Sequence, residues 1–156
     1  MLNAVRRLWL FIKYWLPPLL WMSAIFLVSA DQASVNRSSR LIGPFVRWLF
    51  PDISEEALGG IVFAVRKLAH VTEYSFCAIL LWRALRQHTR RDTRPWIAKH
   101  AWLAWGIATA YAVTDEWHQC FVPERQGAVG DVLLDSAGAA LGLLAVWMAG
   151  RWSKLW

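Results

Sequence analysis

Ionisable side chains are concentrated in one short segment of a chain that is otherwise rich in apolar residues. Residues 114–135 read TDEWHQCFVPERQGAVGDVLLD and lie between two strongly apolar stretches. The candidate functional residues of this segment are Asp115, Glu116, Gln119, Arg125, Asp131 and Asp135. Neighbouring carboxyl groups in an apolar site cannot all ionise cheaply, so one of them can retain a proton and act as an acid. The segment therefore predicts proton transfer or the binding of a charged group.

A second polar group precedes this segment, within an apolar stretch. Its members are Lys67, His70, Glu73 and Tyr74. At 100° per residue these four positions span an arc of about 120°, so one face of a helix can present all of them. The same geometry places Asp115, Glu116 and Gln119 within about 100° of one another. His118 falls outside that arc. Two helices can therefore turn polar faces toward a common pocket.

Small residues continue the polar stripe of the last apolar stretch. Asp131 and Asp135 are four positions apart in the sequence, and Gly138 and Gly142 follow on the same stripe. A small-x-x-x-small pattern is typical of helices that pack closely in a membrane. The pattern predicts a tight helix contact beside the two aspartates.

The composition predicts an all-α membrane protein with a single domain over residues 1–156. Of its 156 residues, 57% are hydrophobic and 12 are tryptophans. A membrane-spanning helix needs about 20 mostly apolar residues. Residues 14–30, 66–85, 101–119 and 129–150 approach that length. Pro17 and Pro18, with a weak cleavage pattern, favour a first membrane helix over a cleavable signal peptide.

The distribution of the net charge of +6 predicts the orientation of these spans. Residues 83–99 contain six basic side chains and one acidic one, and both terminal segments are also basic. Because basic residues collect in cytoplasmic loops, both termini and the second loop are predicted to lie in the cytoplasm. The basic residues are gathered by loop and not on one folded face, which argues against nucleic-acid binding.

The first loop is predicted to contain a short amphipathic helix on the outer membrane surface. Over residues 38–50, the apolar positions recur with helical spacing, and Arg40 and Arg47 lie on other sides. Ser54 is the predicted N-cap of the next helix, with Glu55 and Glu56 in its first turn.

This topology brings the polar groups to one depth in the outer half of the membrane. The second span runs inward from Lys67, the third runs outward to Gln119, and the fourth starts inward from Asp131. Arg125 belongs to the connection between the third and fourth spans and is expected to bend back over the same site. The sequence thus predicts an outer-leaflet pocket built by three helices and one loop.

The runs RKLAHVTEYSFCAIL and TDEWHQCFVPERQGAVGDVLLDSAGAALG resemble the VanZ-like family of small bacterial membrane proteins. That family is marked by a Lys-x-x-His-x-x-x-Tyr helix, then Asp-Glu-x-x-Gln-x-Phe-x-x-x-Arg, then Asp-x-x-x-Asn-x-x-Gly. The resemblance covers residues 61–146, and Asp135 stands where the pattern more often has Asn. The matching positions are Lys67, His70, Tyr74, Asp115, Glu116, Gln119, Phe121, Arg125, Asp131, Asp135 and Gly138.

The resemblance implies a place in the bacterial cytoplasmic membrane and a role in the cell envelope. The family takes its name from a protein that lowers susceptibility to the glycopeptide teicoplanin. The resemblance does not supply a reaction, so any mechanism has to come from the residues.

One hypothesis is an enzyme that acts on an envelope lipid or lipid-linked precursor. It would be a hydrolase or group transferase at a phosphate or acyl centre, with His70 as base or acid. The predicted catalytic residues are His70, Glu73, Asp115, Glu116 and Asp131. The predicted substrate-binding residues are Lys67, Tyr74, Gln119, Arg125 and Asp135. The positive charges of Lys67 and Arg125 would hold a phosphate or carboxylate.

No cofactor or metal is expected, although one form of the enzyme hypothesis includes a bound divalent metal ion. It uses His70, Glu73 and either Asp115 or Asp131 as ligands, but no second histidine stands convincingly beside them. Cys77 and Cys120 are expected to remain unpaired, because they lie at different depths.

Two further hypotheses give the same residues a binding or a structural role in place of a catalytic one. The pocket and the first loop could hold a membrane lipid or a lipoglycopeptide, or Lys67 and Arg125 could pair with the carboxylates and only fix helix register. Five carboxylates against two fixed cations argue against a purely neutralised scaffold. Membrane lipids are the expected partners, and the sequence does not determine the oligomeric state.

Overall fold

The computed structural model describes residues 2–30, 34–87, 92, 94–121 and 127–155. These residues form five helices and no strand, which confirms the all-α prediction. The helices are α1 (Leu2–Ala30), α2 (Ser34–Leu49), α3 (Glu55–Arg86), α4 (Ala98–Gln119) and α5 (Val129–Trp152).

Two stretches of the described chain are long and apolar enough to cross a membrane. They are Ala4–Ser29 within α1 and Val129–Trp152, which is α5. The helices α3 and α4 have 32 and 22 residues, so their lengths also suffice at about 1.5 Å per residue, but both carry ionisable side chains. Four spans with cytoplasmic termini therefore stay a prediction.

The predicted amphipathic helix is present as α2, and it begins four residues earlier than predicted, at Ser34. The predicted cap of the following helix is confirmed. The Ser54 hydroxyl accepts a hydrogen bond from the Ala57 N–H at 3.2 Å, which satisfies one of the free donors in the first turn of α3. Glu55 and Glu56 lie in that first turn, near the positive end of the helix.

The central helix is α3, which packs against each of the other four helices. Its most extensive contact is with α5. A Cβ atom at Gly138 would lie 2.7 Å from the Val71 carbonyl oxygen, and one at Gly142 would lie 2.5 Å from that of Ser75. These distances are too short for any side chain, so glycine allows the two backbones to touch. The predicted small-residue contact is confirmed.

A stripe of alanines lets α4 approach its neighbours closely. Ala104, Ala108 and Ala112 are four residues apart and fully buried. Because side chains at i and i+4 share a helix face, the next turn of this stripe carries Asp115, Glu116 and Gln119 into the interior. The packing of α4 thus positions its polar residues.

The connection from α3 to α4 contains an ion cluster formed by Arg86, Asp92 and Arg94, here called the loop ion cluster. Arg86 and Asp92 are buried, and Arg94 is exposed. Asp92 Oδ2 accepts from Arg86 Nε at 3.0 Å and from Arg94 Nη2 at 2.7 Å. Its Oδ1 accepts from the Arg94 amide at 3.0 Å and from Arg94 Nε at 2.8 Å. The donors of Arg94 and Arg86 hold the pKa of Asp92 well below its usual range. The sequence predicted this region only as a basic loop, and the structure shows ion pairs within it.

Candidate functional site

Polar side chains from four helices meet at one end of the bundle and are called the polar cluster. It brings together most of the residues that the sequence singled out. Its members are Ser29 of α1; Lys67, His70, Glu73 and Tyr74 of α3; Asp115, Glu116 and Gln119 of α4; and Asp131 and Asp135 of α5.

Two contacts join the polar residues of α3 and α5. The Lys67 ammonium forms an ion pair with Asp131, and about a third of the Lys67 side chain is exposed. His70 Nδ1 lies 3.4 Å from Asp135 Oδ1, close enough for an ion pair, although the two atoms are not aligned for a hydrogen bond. Asp135 is completely buried, so its carboxyl group faces only the protein interior.

The polar residues of α4 are nearly as buried. Asp115, Glu116 and Gln119 are 2%, 4% and 5% exposed. The Gln119 amide nitrogen donates to Asp115 Oδ2 at 3.2 Å and to Glu116 Oε1 at 3.3 Å. His118 lies off this face, as its register predicts, and its ring centroid is 4.5 Å from that of Phe26.

Ser29 belongs to the polar cluster and was missed in the sequence. Its hydroxyl donates to Asp115 Oδ2 at 3.0 Å and accepts from Gln119 Nε2 at 2.8 Å. A single serine at the end of an apolar stretch is a weak signal, since serine is common in membrane helices. Only the packing of α1 in the structure shows that Ser29 belongs to the polar cluster.

Two hydrogen bonds fix the position of α1 beside the cluster. The Trp21 indole donates to the Glu73 carbonyl oxygen at 3.0 Å, and the Tyr111 hydroxyl donates to the Met22 carbonyl oxygen at 2.5 Å. Side chains of Trp and Tyr that are largely buried usually find such partners. The two bonds set the register that brings Ser29 to Asp115.

The start of α5 is attached to the end of α4 through Glu116. Its Oε2 atom accepts from the Ala128 N–H at 3.0 Å. A Cβ atom at Gly127 would lie 2.3 Å from the Glu116 carbonyl oxygen, so the chain can pass this close only as glycine. Arg125, predicted to cover the pocket, lies outside the described residues.

Several buried polar atoms of the cluster have no hydrogen-bond partner among the described residues. They are His70 Nδ1, Tyr74 Oη, Asp115 Oδ1 and both carboxyl oxygens of Asp135. Native proteins satisfy most buried polar atoms, so each exception calls for a reason. Free acceptors beside a histidine can receive a proton or a donor group of a ligand.

Glu73 adds a further acidic group to the same region. It is half-buried, and it interacts electrostatically with His70, Asp135 and Asp115. Within the described part of the chain, no three His, Cys, Asp or Glu side chains are grouped closely enough to hold a metal ion. Cys77 and Cys120 are both free thiols, as expected.

Comparison with known proteins gives one result that bears on this site. A protein-family model described as VanZ/LLP1 matches residues 14–150, which include every member of the polar cluster. The comparison found no match among curated proteins and none among solved structures.

Proposed function

Because this chain belongs to the VanZ/LLP1 family, we propose that it binds and chemically alters an envelope lipid or lipid-linked precursor in the bacterial cytoplasmic membrane. The observation that carries the proposal is that Asp115 Oδ1 and both carboxyl oxygens of Asp135, buried near His70, accept no hydrogen bond from the described residues. Ionisable groups inside a membrane protein are costly and usually serve a function.

In the proposed arrangement α1, α3, α4 and α5 cross the membrane and both termini lie in the cytoplasm. The apolar α1 and α5 support this arrangement, as do the basic residues of the α3–α4 connection. The polar cluster then lies in the outer half of the bilayer, and a lipid of the outer leaflet can reach it from the side. Reporter fusions after Asp52 and after Leu155 test the arrangement. The first should be active outside the cell and the second inside it.

The substrate-binding role belongs to residues at the edge of the cluster. Lys67, already paired with Asp131, and Arg125 would hold a phosphate or carboxylate. Gln119, Tyr74 and Asp135 can bind hydroxyl or amide groups of the same substrate, since each can offer a donor or acceptor toward the cluster.

The proposed reaction is hydrolysis or group transfer at a phosphate or acyl centre. The oxygen of water or of an acceptor hydroxyl forms a bond to the phosphorus or carbonyl carbon, and His70 takes up its proton. The bond to the leaving oxygen breaks, and a protonated carboxyl group of Asp115 or Glu73 donates the proton that this oxygen needs. Glu116 holds the start of α5 in place, and Asp131 orients Lys67.

The test measures antibiotic susceptibility in cells that express the protein or one of its variants. The wild type, His70→Gln, Asp115→Asn and the exposed-site control Asp52→Asn are expressed in a susceptible Gram-positive host. Teicoplanin and vancomycin inhibition is measured, together with the amount of each protein in the membrane. We expect the wild type and the control to lower teicoplanin susceptibility and the two cluster variants to lose this effect at equal membrane levels. Protection by His70→Gln equal to that of the wild type would exclude the proposed acid–base role.

A second candidate function, lipid binding without chemistry, is favoured by an apolar groove between α4 and α5. The groove has a volume of about 750 Å³ and is lined by four tryptophans, Trp96, Trp102, Trp105 and Trp147, together with small and aliphatic residues. It can accommodate an acyl chain. Mass spectrometry of an envelope lipid extract incubated with the reconstituted protein separates the two functions, because only an enzyme produces altered lipids.

A further inference from the structure

A basic cleft lies between α2 and α3. It has no residue in common with the polar cluster, although the Lys67 ammonium of that cluster lies 5.3 Å from the ring centroid of the cleft residue Phe63. The volume of the cleft is about 820 Å³. Three arginines and one glutamate line it, with apolar residues between them. The charged lining residues are Arg40, Arg47, Glu55 and Arg66.

The single acidic group in the cleft is already neutralised. Arg47 Nη2 donates to both carboxyl oxygens of Glu55, at 2.6 and 2.8 Å. Neither Arg40 nor Arg66 forms an ion pair with a carboxylate among the described residues. Two positive charges in one cleft repel each other unless an anion lies between them.

The geometry of α2 directs its basic face into the cleft and its apolar face away from it. Arg40, Gly43 and Arg47 fall within an arc of about 60° and all three line the cleft. Phe45, Trp48 and Leu49 occupy the opposite side and are 62%, 76% and 54% exposed. An exposed apolar face opposite arginines is typical of a helix that lies in the membrane interface.

The cleft also has an apolar wall and room for a bulky group. Leu58, Val62 and Phe63 of α3 form this wall beside Arg66. A Cβ atom at Gly43 or Gly59 would meet nothing within 4 Å, so neither glycine is held against a neighbour. A ligand for this space should combine a negative charge with a hydrocarbon part.

We propose that this cleft binds an anionic phospholipid, with its phosphate between Arg40 and Arg66 and an acyl chain along Val62 and Phe63. Arginine suits this role because its planar guanidinium group donates two parallel hydrogen bonds to a phosphate. The site goes beyond the proposed function, because it shares no residue with the polar cluster and needs no chemistry there.

The test measures the thermal stability of the delipidated full-length protein in a neutral detergent. Phosphatidylglycerol, phosphatidylcholine or inorganic phosphate is added in increasing amounts. The double variant Arg40→Gln with Arg66→Gln is compared with Arg6→Gln with Arg7→Gln, a matched control that removes two exposed charges of α1. We expect phosphatidylglycerol to raise the Tm of the wild type and the control. The cleft variant should need about tenfold more of this lipid for the same shift.

The other additions identify the source of the phosphate and the need for charge. Equal stabilisation by phosphatidylcholine would overturn the proposal, as would stabilisation by inorganic phosphate at the same concentration. An undiminished response of the cleft variant to phosphatidylglycerol would overturn it as well. Circular dichroism checks that each variant is folded. If the glutamine variant does not fold, Arg40→Lys with Arg66→Lys replaces it, and we expect this variant to retain a response that is weaker than that of the wild type.

Discussion

The loop ion cluster and the polar cluster both contain buried charged residues, but they differ in how completely these residues are paired. In the loop ion cluster, both carboxyl oxygens of Asp92 accept hydrogen bonds, and Arg86 also donates to the carbonyl oxygens of Arg94 and Pro95. In the polar cluster, both oxygens of Asp135 have no hydrogen-bond partner within the described chain. One group is saturated by its own members and the other is not.

This difference separates a structural role from a functional one. A buried charge that is fully hydrogen-bonded stabilises the local fold, and losing one partner is costly. A buried carboxyl group whose oxygens accept no hydrogen bond is costly even at ion-pair distance from a histidine, so a sequence retains it when it serves binding or proton transfer. The comparison predicts that substitutions in the two clusters have opposite effects on stability and on function.

The largest effect is expected for Asp92→Asn. The substitution removes the Asp92 carboxylate that accepts a hydrogen bond from Arg86, of which only 2% is exposed. We expect the free energy of unfolding to fall by about 3–5 kcal/mol, the usual cost of breaking a buried ion pair. Chemical denaturation in detergent micelles, followed by circular dichroism, measures it. The exposed Asp52→Asn is the control and should change stability by less than about 0.5 kcal/mol.

Acidification should weaken the same cluster gradually. The folded-state pKa of Asp92 lies below its unfolded value, so its stabilising contribution is complete above the unfolded pKa and is lost as the pH falls toward the folded pKa. With an unfolded pKa of about 3.9, the loss should begin below about pH 5. Denaturation curves of the wild type and Asp92→Asn should converge as the pH falls. A constant difference down to pH 3 would contradict the assigned pairing.

A smaller effect is expected for Ser29→Ala in the polar cluster. The variant removes one donor to Asp115 and one acceptor of Gln119, but Gln119 keeps its bonds to the two carboxylates. We expect a loss of about 1 kcal/mol in the free energy of unfolding. Ser23→Ala is the matched control, because that hydroxyl is exposed and donates to the Leu19 carbonyl oxygen of its own helix. Equal losses in the two variants would show that Ser29 does not belong to the cluster.

The smallest effect on stability is expected for Asp135→Asn. The amide has nearly the same shape, and the carboxyl oxygens that it replaces accept no hydrogen bond from the described residues. The free energy of unfolding should stay within about 1 kcal/mol of the wild-type value, or rise. A fall as large as that of Asp92→Asn would show that Asp135 holds the helices together. Such a result would contradict the functional role proposed for Asp135.

The sequence predicted the parts of the site that depend on helical periodicity. The polar face of α3, the buried face of α4 and the contact through Gly138 and Gly142 follow from 100° per residue, because a regular helix keeps that angle in any fold. The cap at Ser54 could be predicted for the same reason, since its hydrogen bond reaches only three residues along the chain.

Other parts depend on contacts that a one-dimensional pattern does not contain. Ser29 and Asp115 are 86 residues apart, and only the packing of α1 brings them together. The loop ion cluster was missed because a sum of charges counts Asp92 as one acid among six basic residues. Its hydrogen bonds depend on how the chain turns after α3.

The contact of α3 with α5 through glycine limits how the site can open. At Gly138 and Gly142 the two backbones touch without intervening side chains, and the Ser75 hydroxyl donates across the contact to the Gly138 carbonyl oxygen at 2.6 Å. Neither helix can slide or rotate along the other without a collision of main-chain atoms. The two helices therefore form a rigid frame that keeps His70 beside Asp135, and the proposed function requires any opening of the polar cluster to come from a displacement of α1 or α4.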